Sequence, residues 1–130
     1  MNTELWRGEA ARRFPDLLGK LAEADSPGMF WIDLHFEFED AYDSGRPERV
    51  AAIYGYAKWC CEQPQGKTAA DDLGSIVATH LFEHIPAHPR ALADMPNWWT
   101  IEEVRLMKEI FSYMVGEGGY AQVLAQFGVK

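Results

Sequence analysis

Residues 32–39 read Ile32-Asp33-Leu34-His35-Phe36-Glu37-Phe38-Glu39, and the structure assigned to them decides the fold. The segment alternates apolar and polar side chains, which is the period of a half-buried strand. Extended back to Phe30 and on to Ala41, the same stretch places Phe30, Leu34, Phe38 and Ala41 within one helical face. No other segment of the chain offers a partner strand, and a lone strand has nowhere to place its backbone hydrogen bonds. The helix reading wins, and with it an all-α chain. On this helix Ile32 and Phe36 point away from the Phe30 face, which predicts a helix contacted on two sides in the middle of the fold.

Start and stop signals lie on either side of it. Ser26-Pro27 caps this third helix and Ser44-Gly45 ends it at about Asp43. Upstream, a first helix runs from Thr3 to Arg13, and a second has Pro15 in its first turn and Leu17, Leu18 and Leu21 on one face. Pro47 opens a fourth helix with Val50, Ile53, Tyr54, Ala57, Cys60 and Cys61 on one stripe, ending before Pro64-Gln65-Gly66. Thr68 with Asp71 makes a capping-box pattern for a fifth helix that closes at Pro86. Residues 86–96 hold one short helical turn at most. Thr100 with Glu103 repeats the capping-box pattern before a long helix to Val115, where Gly116, Gly118 and Gly119 act as terminators. A final piece carries Tyr120, Val123, Leu124 and Phe127. The expectation is a compact all-α single domain over residues 1–130, with six to eight short helices in antiparallel pairs forming a bundle or a small superhelical stack.

Composition agrees with a folded domain. The 130 residues are 48% apolar and 25% charged, a balance that argues against disorder and allows a core without metal or disulfide. Twelve Lys and Arg against twenty Asp and Glu give a net charge of −8. With no basic run, that excess disfavours nucleic acid and anionic membrane, whereas a basic protein partner suits it. The charged stretch Met1 to Arg13 does not read as a secretory signal, and no apolar run approaches the ~20 residues that span a bilayer. Cys60 and Cys61 are adjacent, with Cα atoms only ~3.8 Å apart, too close for an unstrained disulfide. They read as free thiols in a reducing cytoplasm.

The string His80-Leu81-Phe82-Glu83-His84 matches the H-x-x-E-H pattern of inverted zinc peptidases, in which two histidines one turn apart bind zinc. His80 and His84 are therefore the candidate metal ligands. On a helical wheel, however, both share the stripe of Leu73, Ile76 and Val77, while Glu83 faces elsewhere, so packing histidines are the preferred reading. Asp33, Glu37 and Asp40 form an acidic stripe within two turns of the third helix. Such carboxylates hold a divalent cation or share a proton at some sites, but on a helix they more often face water. No Glu has a His three residues after it, so the di-iron bundle motif is missing. No catalytic residue and no cofactor site emerges.

The aromatic residues divide by placement. Trp31, Phe38 and Tyr54 lie on apolar stripes and read as core. Tyr56 and Trp59 point to the back of the fourth helix, and Trp98 follows Pro96-Asn97 at a loop-to-helix junction. Large aromatics with a polar tip suit interfaces. Together with Asp33, Glu37 and Asp40, these three make the candidate interaction surface, and such a patch would also suit a homodimer.

Tyr54-Gly55-Tyr56-Ala57-Lys58-Trp59-Cys60, then Phe82-Glu83-His84-Ile85-Pro86, then Asp94-Met95-Pro96-Asn97-Trp98 resemble a family of small uncharacterised bacterial helical proteins. The resemblance spans the chain from about Phe30 onward. It implies a compact all-α cytoplasmic domain with no assigned reaction. The functional expectation is a non-enzymatic protein-interaction module with an acidic surface, in one form an immunity-type protein that neutralises a basic toxin. The alternative is a metal-binding or metal-dependent hydrolase domain centred on His80 and His84.

Overall fold

The structure, a computed structural model, describes residues 5–68 and 72–129. Among the described residues it holds nine α-helices, three short 3-10 segments and no strand, so the chain is all-α. The expected start at Thr3 and the acid of the expected capping box, Asp71, lie outside the described residues. Two compact units divide the chain between His80 and Leu81.

The first unit contains α1 (Leu5–Arg13), a 3-10 turn (Pro15–Leu17), α2 (Leu18–Glu23), α3 (Pro27–Asp43), α4 (Pro47–Cys61) and α5 (Leu73–His80). Residues 32–39 are helical, and α3 begins and ends where its local signals put it. The Ser26 hydroxyl accepts from the Met29 N–H at 3.3 Å and Pro27 occupies the first turn. Beyond the last turn, Gly45 takes φ 68°, which lets the Arg46 N–H reach the Ala41 carbonyl at 2.8 Å. Pro47 then opens α4.

Helices α3, α4 and α5 pack against one another, α1 lies on α4, and α2 touches α1 and α3. Their common core takes Phe30, Trp31, Leu34, Phe38 and Ala41 from α3, Val50, Ile53, Tyr54, Tyr56, Ala57 and Cys60 from α4, and Ile76 and Val77 from α5. Each large side chain buried there contributes about 1.5–3 kcal/mol by leaving water. Arg7 of α1 donates to the Leu21 carbonyl at 2.5 Å and the Ala24 carbonyl at 2.8 Å, satisfying the C-terminal end of α2. The Asp72 carboxylate caps α5, accepting from the Ser75 N–H at 3.3 Å and hydroxyl at 2.5 Å.

Two expectations are corrected in this unit. The side of the third helix that carries Ile32 and Phe36 is not contacted: both are exposed, while Phe30 and Phe38 meet Tyr56 and Tyr54 of α4. The fifth helix stops at His80 rather than Pro86. Proline disfavours helical geometry in the residue before it and cannot donate to the ladder. The chain instead adopts a 3-10 segment that contains this proline.

The second unit contains that 3-10 segment (Phe82–Ala87), α6 (Pro89–Asp94), a 3-10 turn (Met95–Asn97), α7 (Ile101–Leu106), α8 (Lys108–Ser112) and α9 (Gly116–Gln126). Residues 86–96 are more helical than one short turn, because His88 is a cap: its Nδ1 accepts from the Ala91 N–H at 3.3 Å. The Thr100 and Glu103 capping box forms as expected, at 3.1 Å and 2.8 Å in its two directions. The long helix expected after it breaks at Met107, which closes α7 and opens α8. The glycine run is likewise not a terminator, since Gly116 at φ 71° opens α9. In the core of this unit Trp99 stands edge-on to Phe82, with ring centres 4.8 Å apart, and to Phe111 at 5.1 Å.

Candidate functional site

The outer face of α3 carries three large apolar side chains that helix packing in the first unit leaves exposed. Met29 is 45% exposed, Ile32 46% and Phe36 61%. Their spacing of three and four residues aligns them along roughly 10 Å of helix axis. Exposed large apolar side chains scattered singly are ordinary, whereas a contiguous row marks an interaction surface. Helix α3 bears Asp33, Glu37, Glu39, Asp40 and Asp43, and its residues include no Lys or Arg. By helical periodicity Asp33 borders the row on one side and Glu39 on the other, while Asp40 and Asp43 continue its line toward the C-terminus.

Neighbouring elements answer part of this charge. Glu37, half-buried, faces α2 and α4: Arg49 Nε lies 3.8 Å and Lys20 Nζ 4.0 Å from its carboxylate. The Arg49 guanidinium also pairs with Asp16 and lies 5.7 Å from the centre of the Phe14 ring. Asp40 pairs with Arg46 and accepts from the Ser44 hydroxyl at 3.4 Å. Glu39 is 3.3 Å from His35 Nε2. The largely exposed Arg46–Asp40 pair contributes little to stability. Of the predicted stripe, Glu37 is thus turned to the flank, Asp40 is exposed but paired, and Asp33 is half-buried beside the row.

The predicted aromatic surface fares differently. Tyr56 is fully buried, and its assignment to an interaction surface is corrected. The back of α4, where a wheel places it, is covered by α1: the Tyr56 hydroxyl donates to the Trp6 carbonyl at 2.9 Å. Its ring stacks between Trp31, at 5.4 Å, and Trp59, at 5.9 Å. Trp59 is half-buried, one side of its ring spent on that stack. Trp98 is exposed, and its indole N–H donates to Asp94 at 2.8 Å, beside an Asn97 side-chain bond to the same carboxylate at 2.6 Å. That arrangement ties a 3-10 turn to the end of α6.

Within the aromatic core Cys60 is a buried thiol. Burial pushes it up to about 12. Cys61 is exposed, and burial of part of its surroundings together with the Asp72 and Glu62 charges raises it too. Thiols held protonated in this way are poor nucleophiles.

His80 and His84 are not one turn apart on a single helix. His80 ends α5, and its Nε2 lies 3.5 Å from the point where a Gly28 side chain would begin. His84 belongs to the following 3-10 segment. The shared helix face on which the H-x-x-E-H reading rests is therefore not formed. Among the described residues no three His, Cys, Asp or Glu side chains come together in a way that could hold a metal ion.

Met29, Ile32 and Phe36 were missed as site residues in the sequence because apolar side chains were assigned to packing. A wheel does carry the signal, since all three fall opposite Phe30, Leu34 and Phe38, in line with Asp40 and Asp43. No described helix is long and apolar enough to cross a membrane. No protein-family model matches the chain, and no curated protein or solved structure matches it either.

Proposed function

We propose that the protein is a non-enzymatic interaction module that engages a basic protein partner through the outer face of α3. In its concrete form it is an immunity-type protein of the bacterial cytoplasm that neutralises a basic toxin by charge complementarity. Membership in the helical family that residues 54–60, 82–86 and 94–98 resemble is part of the same proposal. The observation that carries it is the exposed row Met29, Ile32 and Phe36, bordered and continued by Asp33, Glu39, Asp40 and Asp43 on a helix with no Lys or Arg. Apolar anchors supply affinity, and a surrounding field of one sign raises the association rate and rejects partners of that sign. The net charge of −8 extends that field over the molecule.

Affinity capture from native lysate of the source organism, run with wild type and with an Asp33→Lys/Asp43→Lys variant, tests it. A basic protein should be retained by wild type, released as salt is raised and absent from the variant. Identical proteins on both, or none whose retention falls with salt, would refute the module.

A further inference from the structure

We infer that the outer face of α3 is a docking site for one basic amphipathic helix of a partner protein. The inference rests on the reading of α3 as the partner-facing element, and it specifies what occupies it. The row is linear and convex, because it lies on the ridge of a single helix. A ridge of residues spaced by three and four is the surface that a second helix packs against, its own i, i+3, i+4 and i+7 side chains lying alongside. An extended peptide would need an open sheet edge for its backbone hydrogen bonds, and no strand exists among the described residues.

Charge then selects the helix. Apolar residues of the occupant cover Met29, Ile32 and Phe36. The positions flanking its apolar stripe meet Asp33 on one side and Glu39 on the other, and its continuation meets Asp40 and Asp43. Lys or Arg at those flanking positions is attracted by the negative charge that α3 keeps beyond its Asp40–Arg46 and Glu39–His35 contacts, whereas Asp or Glu there brings like charges together. An anionic lipid surface fails the same test.

The probe is a synthetic peptide in which Leu recurs at i, i+3, i+4 and i+7 and Lys fills the other positions, followed by fluorescence anisotropy against the full chain. Two controls accompany it: the same residues in scrambled order, and the patterned peptide with Glu replacing Lys. Wild type should bind the patterned basic peptide at least about tenfold more tightly than either control. Ile32→Ser/Phe36→Ser should weaken binding about tenfold or more, and both changes are at exposed positions, so the fold is retained. Asp33→Asn/Asp43→Asn should weaken it several-fold at low salt, with the difference shrinking as salt rises. Leu106→Ser, at a side chain 87% exposed in the second unit, should change nothing.

Equal binding of the scrambled peptide, or no effect of Ile32→Ser/Phe36→Ser, overturns the helix. If the carboxylate variant alone weakens binding, helix docking fails while the acidic module stands. If neither variant weakens it, both fail. Light scattering on the free protein completes the test: a dimer that Ile32→Ser/Phe36→Ser converts to monomer assigns the face to a second copy and overturns the inference.

Discussion

The Tyr56 hydroxyl donates to the Trp6 carbonyl at 2.9 Å, across fifty positions of sequence, and this bond ties α1 to the back of α4. Burial also pushes the Tyr56 phenol far above its ordinary range, which favours the neutral, donating form. Tyr56→Phe keeps the stack on Trp31 and Trp59 and removes only the hydroxyl. It should lower stability by about 1 kcal/mol, read as a shift in the urea midpoint without a change in slope. Tyr56→Ala removes the stack as well and should cost about 3–5 kcal/mol. If Tyr56→Phe were neutral, the hydroxyl would not be what holds α1.

The two neighbouring cysteines should behave as different thiols. Cys60 is buried and pushed up to about 12, while Cys61 is exposed and raised by burial of its surroundings and by Asp72 and Glu62. An aromatic disulfide reagent at mild alkaline pH should titrate one thiol per native chain and two in denaturant. The rate at Cys61 should keep climbing with pH after that of a free cysteine has levelled, because its thiolate forms later. Two native thiols reacting at one rate would contradict the burial of Cys60.

How far the sequence discloses this molecule depends on the range of the interaction involved. Helices α3 and α4 are legible because Ser26-Pro27, Ser44-Gly45 and Pro47 act within a turn or two of themselves. The break at Met107 is not, for residues 101–112 contain no Gly or Pro and nothing local demands it. Gly116 was misread because glycine with positive φ serves equally after a helix and before one. Tyr56 was placed on a surface because a wheel shows which way a side chain points and not which element lies there. The same limit, with the opposite sign, hid the α3 row: Ile32 and Phe36 look like core residues until the packing of α4 and α5 leaves them uncovered.

Acid should uncouple α5 through Asp72. Hydrogen bonds from the Ser75 side chain, then from the Gly66 and Ser75 backbone, hold its carboxyl below the ordinary carboxylate range. A group with a lowered folded value binds its proton more readily when unfolded. Its stabilisation is thus complete above the unfolded value and is lost as pH falls through the folded one. The melting temperature of wild type should exceed that of Asp72→Ala at neutral pH. The gap should close as pH drops below about 4 and be gone once the native carboxyl is protonated. A gap that stayed constant across that range would mean that the charge plays no part in the cap.

Glycine-to-alanine substitution should change sign between two helices. At Gly8, within α1, an added Cβ meets nothing within 4 Å. Gly8→Ala should therefore stabilise by about 0.5–1 kcal/mol, the ordinary helical preference for alanine. At Gly119, within α9, the same atom would overlap the Val115 side chain, which lies one turn earlier at the start of that helix. The contact is with the branched carbons near the Val115 backbone, so relief requires the backbone itself to shift. Gly119→Ala should destabilise by about 1–3 kcal/mol, and because the Val115 Cβ is itself among the clashing atoms, Val115→Ala in the same chain should not restore the loss. Thermal melts of the Gly8→Ala and Gly119→Ala variants decide it. A Gly119→Ala protein as stable as Gly8→Ala would mean that Val115 does not constrain the opening turn of α9.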